Sequence, residues 1–384
     1  MRRIYFFVCI IVLCCINSVQ AHLPCPVNAR GVLQCDAEVK SSYKKGVSLH
    51  FDVNSREESY AARMLTKSLQ ERGYVINANS GDYSIKFFID KRGYDAEAFA
   101  IIPEGNVIKI IGGDYRGLIY GALSLSEDLR NEILLDNAVA RSEKPKLMLR
   151  AVKYDLPWDT YRHSEALNLH DETCRDPKYW EAFLDMMAEN RLNALSLWNL
   201  HPYPFMIIPK NYPEASPFTK EEFKEWQKLF QSIIGMAAER AIETYLIPFN
   251  IFVTPEFSVA HNVAMDNLDH HFYVRGETAQ IVKDYTRECV TQVLEEYPDL
   301  TGFGLTLGEG MAGMTPQERE AWMTETIIEG MRRANRPSKL VHRVPFSSTT
   351  ESLGNTSVET ERITRASIER EADMGFTEGP IFAD

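Results

Sequence analysis

Residues 277–310 read ETAQIVKDYTRECVTQVLEEYPDLTGFGLTLGEG. Glu277 to Glu296 predicts a helix, Thr301 to Leu307 is a β-rich run, and the run ends in Gly308-Glu309-Gly310. The same helix-then-strand rhythm extends in both directions. Upstream, Leu147 to Tyr154 reads as a strand and Pro177 to Asn190 as a helix with Tyr179, Trp180, Phe183, Met186 and Met187 on one face. Asn193 to Trp198 is a strand, and Glu221 to Arg240 is a helix leading into Glu243 to Val253. Downstream, Pro316 to Ala334 leads into Lys339 to Phe346, and Val358 to about Ala372 leads into Gly379 and the residues after it. Strands separated by helices of this length need right-handed crossovers and a parallel sheet. Repeated crossovers without a phosphate-binding glycine loop favour a (β/α) barrel over a doubly wound sheet. A closed barrel has eight strands, whereas six are legible, so the expectation is an α/β protein with an incomplete (β/α)8 barrel over residues 147–384.

Ahead of the barrel, residues 22–140 predict a small α/β domain. Val47 to Val53 alternates as a strand, and Glu57 to Arg72 repeats its apolar residues at helical spacing up to Gly73. Tyr83 to Asp90, Ala98 to Pro103 and Val107 to Ile111 are β-rich, with a hairpin signal at Glu104-Gly105-Asn106, and a helix follows from Tyr115 to about Asn131. This pattern predicts a sheet built mostly from hairpins.

The first 21 residues, MRRIYFFVCIIVLCCINSVQA, combine two arginines, an apolar stretch from Ile4 to Ile16 and a small final residue. They read as a cleavable secretory signal, so the expected location is secreted or periplasmic, with a lipid anchor on Cys14 or Cys15 the competing reading. The apolar stretch is shorter than the ~20 residues of a membrane span, and no integral membrane segment is expected after processing. Four of the seven cysteines remain, Cys25, Cys35, Cys174 and Cys289, too scattered for a disulfide framework or a zinc site. The net charge is −12, and loss of Arg2 and Arg3 makes the processed chain more acidic still. A nucleic-acid partner is thereby disfavoured, since phosphate binding needs a basic surface.

Chemistry in a barrel belongs at the C-terminal ends of its strands. Those ends carry Asp155 and Trp158, then Trp198, Asn199 and His201, then Asn250, then Glu309, then His342 and Arg343. Carboxylate, amide, imidazole and indole on one rim are the groups that hold a sugar, through hydrogen bonds to its hydroxyls and an aromatic platform for its C–H face. Each also has a plainer use: the tryptophans as packing, the histidines and Asn250 as hydrogen-bonded structural groups. Arg150 and Asp155, opposite charges in one apolar strand, read as an internal ion pair or a clamp on a hydroxyl. Glu309, set between glycines where a buried strand meets a permissive turn, is the candidate general acid, and its alternative is a solvated turn glutamate. His261, His270 and His271 lack a regular period and read as a solvated loop, so neither a metal nor a cofactor is expected.

GGDYRGLIYGALSLSEDL at residues 112–129, LMLRAVKYD at 147–155 and TLGEG at 306–310 resemble glycoside hydrolase family 67, the α-glucuronidases, and more distantly the family 20 β-N-acetylhexosaminidases. The resemblance implies a small α/β domain before a catalytic barrel, with Glu309 as the acid and an oligosaccharide or polysaccharide as the substrate. Family 20 carries an Asp-Glu pair where this chain has Gly308 and Glu309, so the family 67 likeness is preferred. It implies inverting hydrolysis of an α-linked uronic acid, the base coming from later strands. Arg343 and His342 are then the candidate cationic partners of a uronate. Two other readings stay open: a carbohydrate-binding barrel without catalysis, and a hydrolase of a neutral or amino sugar.

Overall fold

The computed structural model describes residues 45–77, 81–160, 164–263, 278–306 and 314–343, together with 266–267, 274–275, 311, 366 and 381–382. The leader, Cys25, Cys35 and most of the stretch after Arg343 lie outside these residues.

Two six-stranded sheets organise the chain. The first takes β1 (Gly46–His50), α1 (Arg56–Glu71), β2 (Val75–Ile76), β3 (Tyr83–Ile89), β4 (Phe99–Glu104), β5 (Val107–Gly112), α2 (Tyr115–Arg130) and β6 (Arg141–Glu143), in the order β2-β1-β3-β5-β4-β6. Gly105, at φ 60, supplies the left-handed residue that the tight β4–β5 turn needs. The hairpin expectation holds only on that side of the sheet. β1, β2, β3 and β5 run parallel, because α1 fills the β1–β2 connection and forces a crossover. β6, beyond the end of the first block as read from sequence, pairs antiparallel with β4.

The second sheet begins with β7 (Ala151–Asp155), followed by α3 (Glu165–Arg175), α4 (Pro177–Glu189), β8 (Ala194–Asn199), α5 (Tyr203–Met206), α6 (Lys220–Glu239) and β9 (Glu243–Pro248). A three-stranded antiparallel insertion follows, made of β10 (Phe252–Val253), β11 (Asp266–Asn267) and β12 (Val274–Arg275), with α7 (Pro255–His261) inside it. The chain then returns through α8 (Gln280–Glu296), β13 (Gly302–Thr306), α9 (Pro316–Met323), a π-turn at Thr324–Ile328, α10 (Glu329–Arg333), β14 (Lys339–Arg343) and β15 (Ile381–Phe382). Every pair is parallel and the order β7-β8-β9-β13-β14-β15 follows the chain. Monotonic order is the mark of a barrel, since a doubly wound sheet reverses at a switch point. Among the described residues β15 does not pair with β7, so the sheet is a partial (β/α) barrel. The run read from Glu243 to Val253 as one strand divides at Phe249, and Phe252–Val253 belongs to the insertion.

Local sequence explains the helices that close this sheet. Thr219 and Glu222 form a reciprocal capping box at the start of α6, whose Phe223, Trp226, Phe230, Ile233, Ile234 and Ala237 are buried at helical spacing. Each large apolar side chain so buried contributes about 1.5–3 kcal/mol. Gly302 permits the β13–β14 contact, as a Cβ there would come within 1.8 Å of the Lys339 carbonyl oxygen.

The first sheet docks on the N-terminal ends of the barrel strands. Glu97, in the left-handed region at φ 62, accepts from Arg116 at 2.6 Å, from Asn193 at 2.8 Å and from Arg150. Arg116 continues to the Ala241 carbonyl at 2.7 Å and to Glu243 at 3.3 Å, and Glu243 takes Lys339 at 3.0 Å. Asn193, Glu243 and Lys339 sit at the starts of β8, β9 and β14, and Arg150 immediately precedes β7. Arg150 is thus committed to Glu97 at the opposite end of the strand from Asp155, and the Arg150–Asp155 pair expected from sequence is not formed. A second tie joins α1 to the helix ends: Arg240, fully buried, bonds Asp185 at 2.8 Å and lies over the Tyr60 ring, whose hydroxyl donates to Asp185 at 3.1 Å.

Burial alone would raise the Glu97 carboxyl, but hydrogen bonds from Asn193, Arg150 and Arg116 outweigh it and hold it below the ordinary carboxylate value. Its contribution is therefore present above about pH 4.5 and is lost as pH falls below that value. Glu97→Gln should lower unfolding free energy at pH 7 by about 3 kcal/mol, because two guanidinium groups lose their shared counter-charge. In urea titrations followed by circular dichroism the variant should also show a shallower acid limb than the parent. Equal acid limbs would contradict the assignment.

Candidate functional site

Strand alternation separates the rim residues into two sets. On β7, Tyr154 faces the helices, its hydroxyl 2.8 Å from Tyr179 and 3.0 Å from the Cys174 thiol. Lys153 and Asp155 therefore share the inner face. On β8 the inner face carries Ser196 and Trp198, joined by a 3.0 Å hydrogen bond from the indole N–H to the Ser196 hydroxyl. Register sets Lys153 beside Ser196 and Asp155 beside Trp198. The result is one patch. The Lys153 ammonium lies 3.5 Å from the Asp155 carboxylate and 4.1 Å from the centroid of the Trp198 ring. The Lys153 side chain is 42% exposed and that of Asp155 15%, with the Trp198 indole packed against the ammonium.

The other polar residues of the rim are turned the other way. Asn199 is buried, and alternation with Trp198 along β8 turns its side chain to the helix side. His201 is buried 2.9 Å from the Tyr285 hydroxyl on α8. Its imidazole pKa is pulled down to about 3 by burial, so it stays neutral across the working range and is no acid or base. His342 is fully buried on the helix-facing side of β14, 3.5 Å from the Glu320 carboxylate on α9. Trp158 turns away from the mouth into an aromatic cluster with Trp226, Phe205 and Phe230, the nearest centroid 4.9 Å away. None of these four can meet a sugar held over the Lys153, Asp155 and Trp198 patch. The expectation of one convergent rim is corrected accordingly. A polar side chain at a strand end faces either the mouth or the helices, and residue type does not reveal which.

Asn250 has a third role. Buried at the end of β9, it donates to the Thr306 carbonyl, while the Thr306 hydroxyl donates to the Pro248 carbonyl at 2.9 Å. These bonds tie the ends of β9 and β13 together. Ile251 follows at φ 58, a conformation a β-branched residue adopts only under constraint. Thr306 is three residues before Glu309, which lies outside the described residues. Arg343 ends β14 in register with Thr306, and its side chain lies outside what is described. His261 pairs with Glu214 at 2.6 Å, whereas His270 and His271 lie outside the described residues. Sequence reasoning missed Lys153, although its place two residues before Asp155 in a strand was the available signal.

No family model and no curated protein matches the chain. Among solved structures it is similar to a GH138 enzyme targeting pectin rhamnogalacturonan II, with 26% identity and a TM-score of 0.66, over 79% of this chain and 36% of that one. It is similar in fold to a GH20 β-N-acetylhexosaminidase from Streptomyces coelicolor A3(2), at 12% identity and TM-score 0.55, and to the Streptomyces plicatus β-hexosaminidase, at 13% and 0.54. It covers 85% of its own length in both and 70% and 68% of theirs. The chain thus spans about a third of the GH138 enzyme. Its structural neighbours are glycoside hydrolases, and its partial (β/α) barrel is similar in fold to theirs.

The neutral His201 gives a measurable signature. Because its folded pKa is depressed from 6.5 to about 3, stability should fall as pH drops from 6.5 towards 3, where the unfolded chain takes up a proton and the folded one does not. His201→Gln, which keeps a partner for Tyr285, should flatten this slope between pH 6.5 and 4.5. An unchanged slope in urea titrations would mean that the imidazole titrates in the folded protein.

Proposed function

We propose that this chain carries the acid half of the active site of an exported glycoside hydrolase acting on polysaccharide-derived oligosaccharides. The observation that carries the reading is the register of the rim. Asn250 and Thr306 tie down the end of β13, three residues before Glu309 in sequence, and the same sheet holds a cation, a carboxylate and an indole on its inner face. The 26% identity to a glycoside hydrolase with the same architecture supports it.

In this reading the sugar ring lies against Trp198, and Asp155 accepts from its hydroxyls. Glu309 donates its proton to the leaving glycosidic oxygen as the C–O bond breaks. A second carboxylate from a later strand takes a proton from the water that attacks the opposite face, which inverts the anomeric centre. The finer proposal is an α-glucuronidase-like specificity for a uronic acid. Lys153 supports it, because a uronate carboxylate needs a cation within the mouth and strand alternation turns this ammonium inward. The leader at residues 1–21 would export the enzyme to where plant or microbial polysaccharide is met.

The decisive experiment uses Glu309→Gln in the full-length protein. Removal of a general acid should lower kcat on uronosyl oligosaccharides by about 10²–10⁴ with little change in ligand affinity. Turnover equal to the parent's would reject Glu309 as the acid. Lys153→Met should raise KM for a uronoside while leaving a neutral glycoside unaffected, and equal effects on both would reject the uronate specificity.

A further inference from the structure

We infer that a second sugar site, separate from the barrel mouth and specific for neutral residues, lies in the cavity between α3 and α6. The cavity has a volume of about 910 Å³, within the ordinary range of ligand pockets, about 300–1,000 Å³. Trp158, Trp226 and Phe218 form its apolar wall, and Asp171, Glu222, Glu225 and Arg175 its polar edge.

Two observations favour a sugar. Aromatic faces beside carboxylates suit a ring with a C–H face and hydroxyl edges. Trp158 also follows Asp155 by three residues, so an oligosaccharide engaged at the mouth has a branch or neighbouring unit within reach of the cavity. The charge distribution chooses the type of sugar. Three carboxylates face one guanidinium, and Arg175 is already held by Asp171 at 2.9 Å and by the Trp226 ring at 4.3 Å. A uronate would be repelled, and a neutral pyranose can use Glu225 as an acceptor, Glu222 being tied to Thr219 in the capping box and Asp171 to Arg175.

The test is made on the full-length Glu309→Gln protein, so that binding is read without turnover. Tryptophan fluorescence and calorimetry are followed with a neutral galactan tetraose and with an oligogalacturonide of equal length. Glu225→Ala and Phe218→Ala should each weaken tetraose binding by roughly fivefold or more, whereas the oligogalacturonide, held at the mouth, should bind both variants as it binds the parent. Glu225 is on the helix surface, so its variant keeps the test alive if Phe218→Ala fails to fold. Tetraose binding indifferent to Glu225→Ala, or oligogalacturonide binding weakened by it as much as tetraose binding, would overturn the proposal. The site does not depend on the catalytic reading. If Glu309→Gln retains full activity while Glu225→Ala abolishes tetraose binding, catalysis by Glu309 falls and this site stands.

Discussion

One carboxylate determines which end of the barrel is left for chemistry. Glu97 is reached by Arg116 from α2, by Arg150 ahead of β7 and by Asn193 ahead of β8, so three elements from both sheets converge on it. Holding a glutamate in the left-handed region costs of order 1 kcal/mol, which the three hydrogen bonds offset. Through Arg116 the same network reaches Glu243 and Lys339, which begin β9 and β14. The first sheet is thereby fixed across the N-terminal ends of the barrel strands. The C-terminal ends, where barrels carry their chemistry, stay uncovered by it.

This division of labour was legible in part. The alternation of helix and strand from Leu147 onward was enough for a parallel sheet in chain order, because crossover length and handedness leave few alternatives. The orientation of the first sheet was not, since the helix at Glu57–Arg72 was read but the two-residue β2 after it and the parallel pairings of β1 with β3 and β3 with β5 leave no local pattern. Within the site, Asp155 and Trp198 meet as the strand ends suggested, whereas Asn199, His201 and His342 face the helices. A period-2 strand gives adjacent residues opposite faces, but which face is inward depends on helices far away in sequence, such as α8 with Tyr285 and α9 with Glu320. Arg150 was misread for the same reason. Its partner Glu97 lies 53 residues away, in the other sheet.

Burial then sorts structure from function more sharply than residue type does. A polar group sealed in the protein must be hydrogen-bonded or it destabilises the fold, and His201 and Asn250 meet that demand with Tyr285 and Thr306. Their bonds are already committed, so a ligand could recruit them only by breaking the contacts between α8, β9 and β13. Lys153 differs, because its stem lies along Trp198 while its ammonium stays accessible.

The strained backbone at Ile251 fits the same logic. Ile251 follows Asn250 directly, and its left-handed conformation keeps the chain turning so that the amide reaches the Thr306 carbonyl. A glycine would adopt this conformation at less cost, yet Ile251 also buries its side chain beside Phe252 and Val253. The apolar burial holds the turn rigid where a glycine would leave it pliable. Rigidity in the strand ends is how a barrel holds the groups at its rim to a fixed geometry. Strain at Ile251 and the bond from Asn250 are therefore two parts of one device, which stiffens the end of β13 at Thr306.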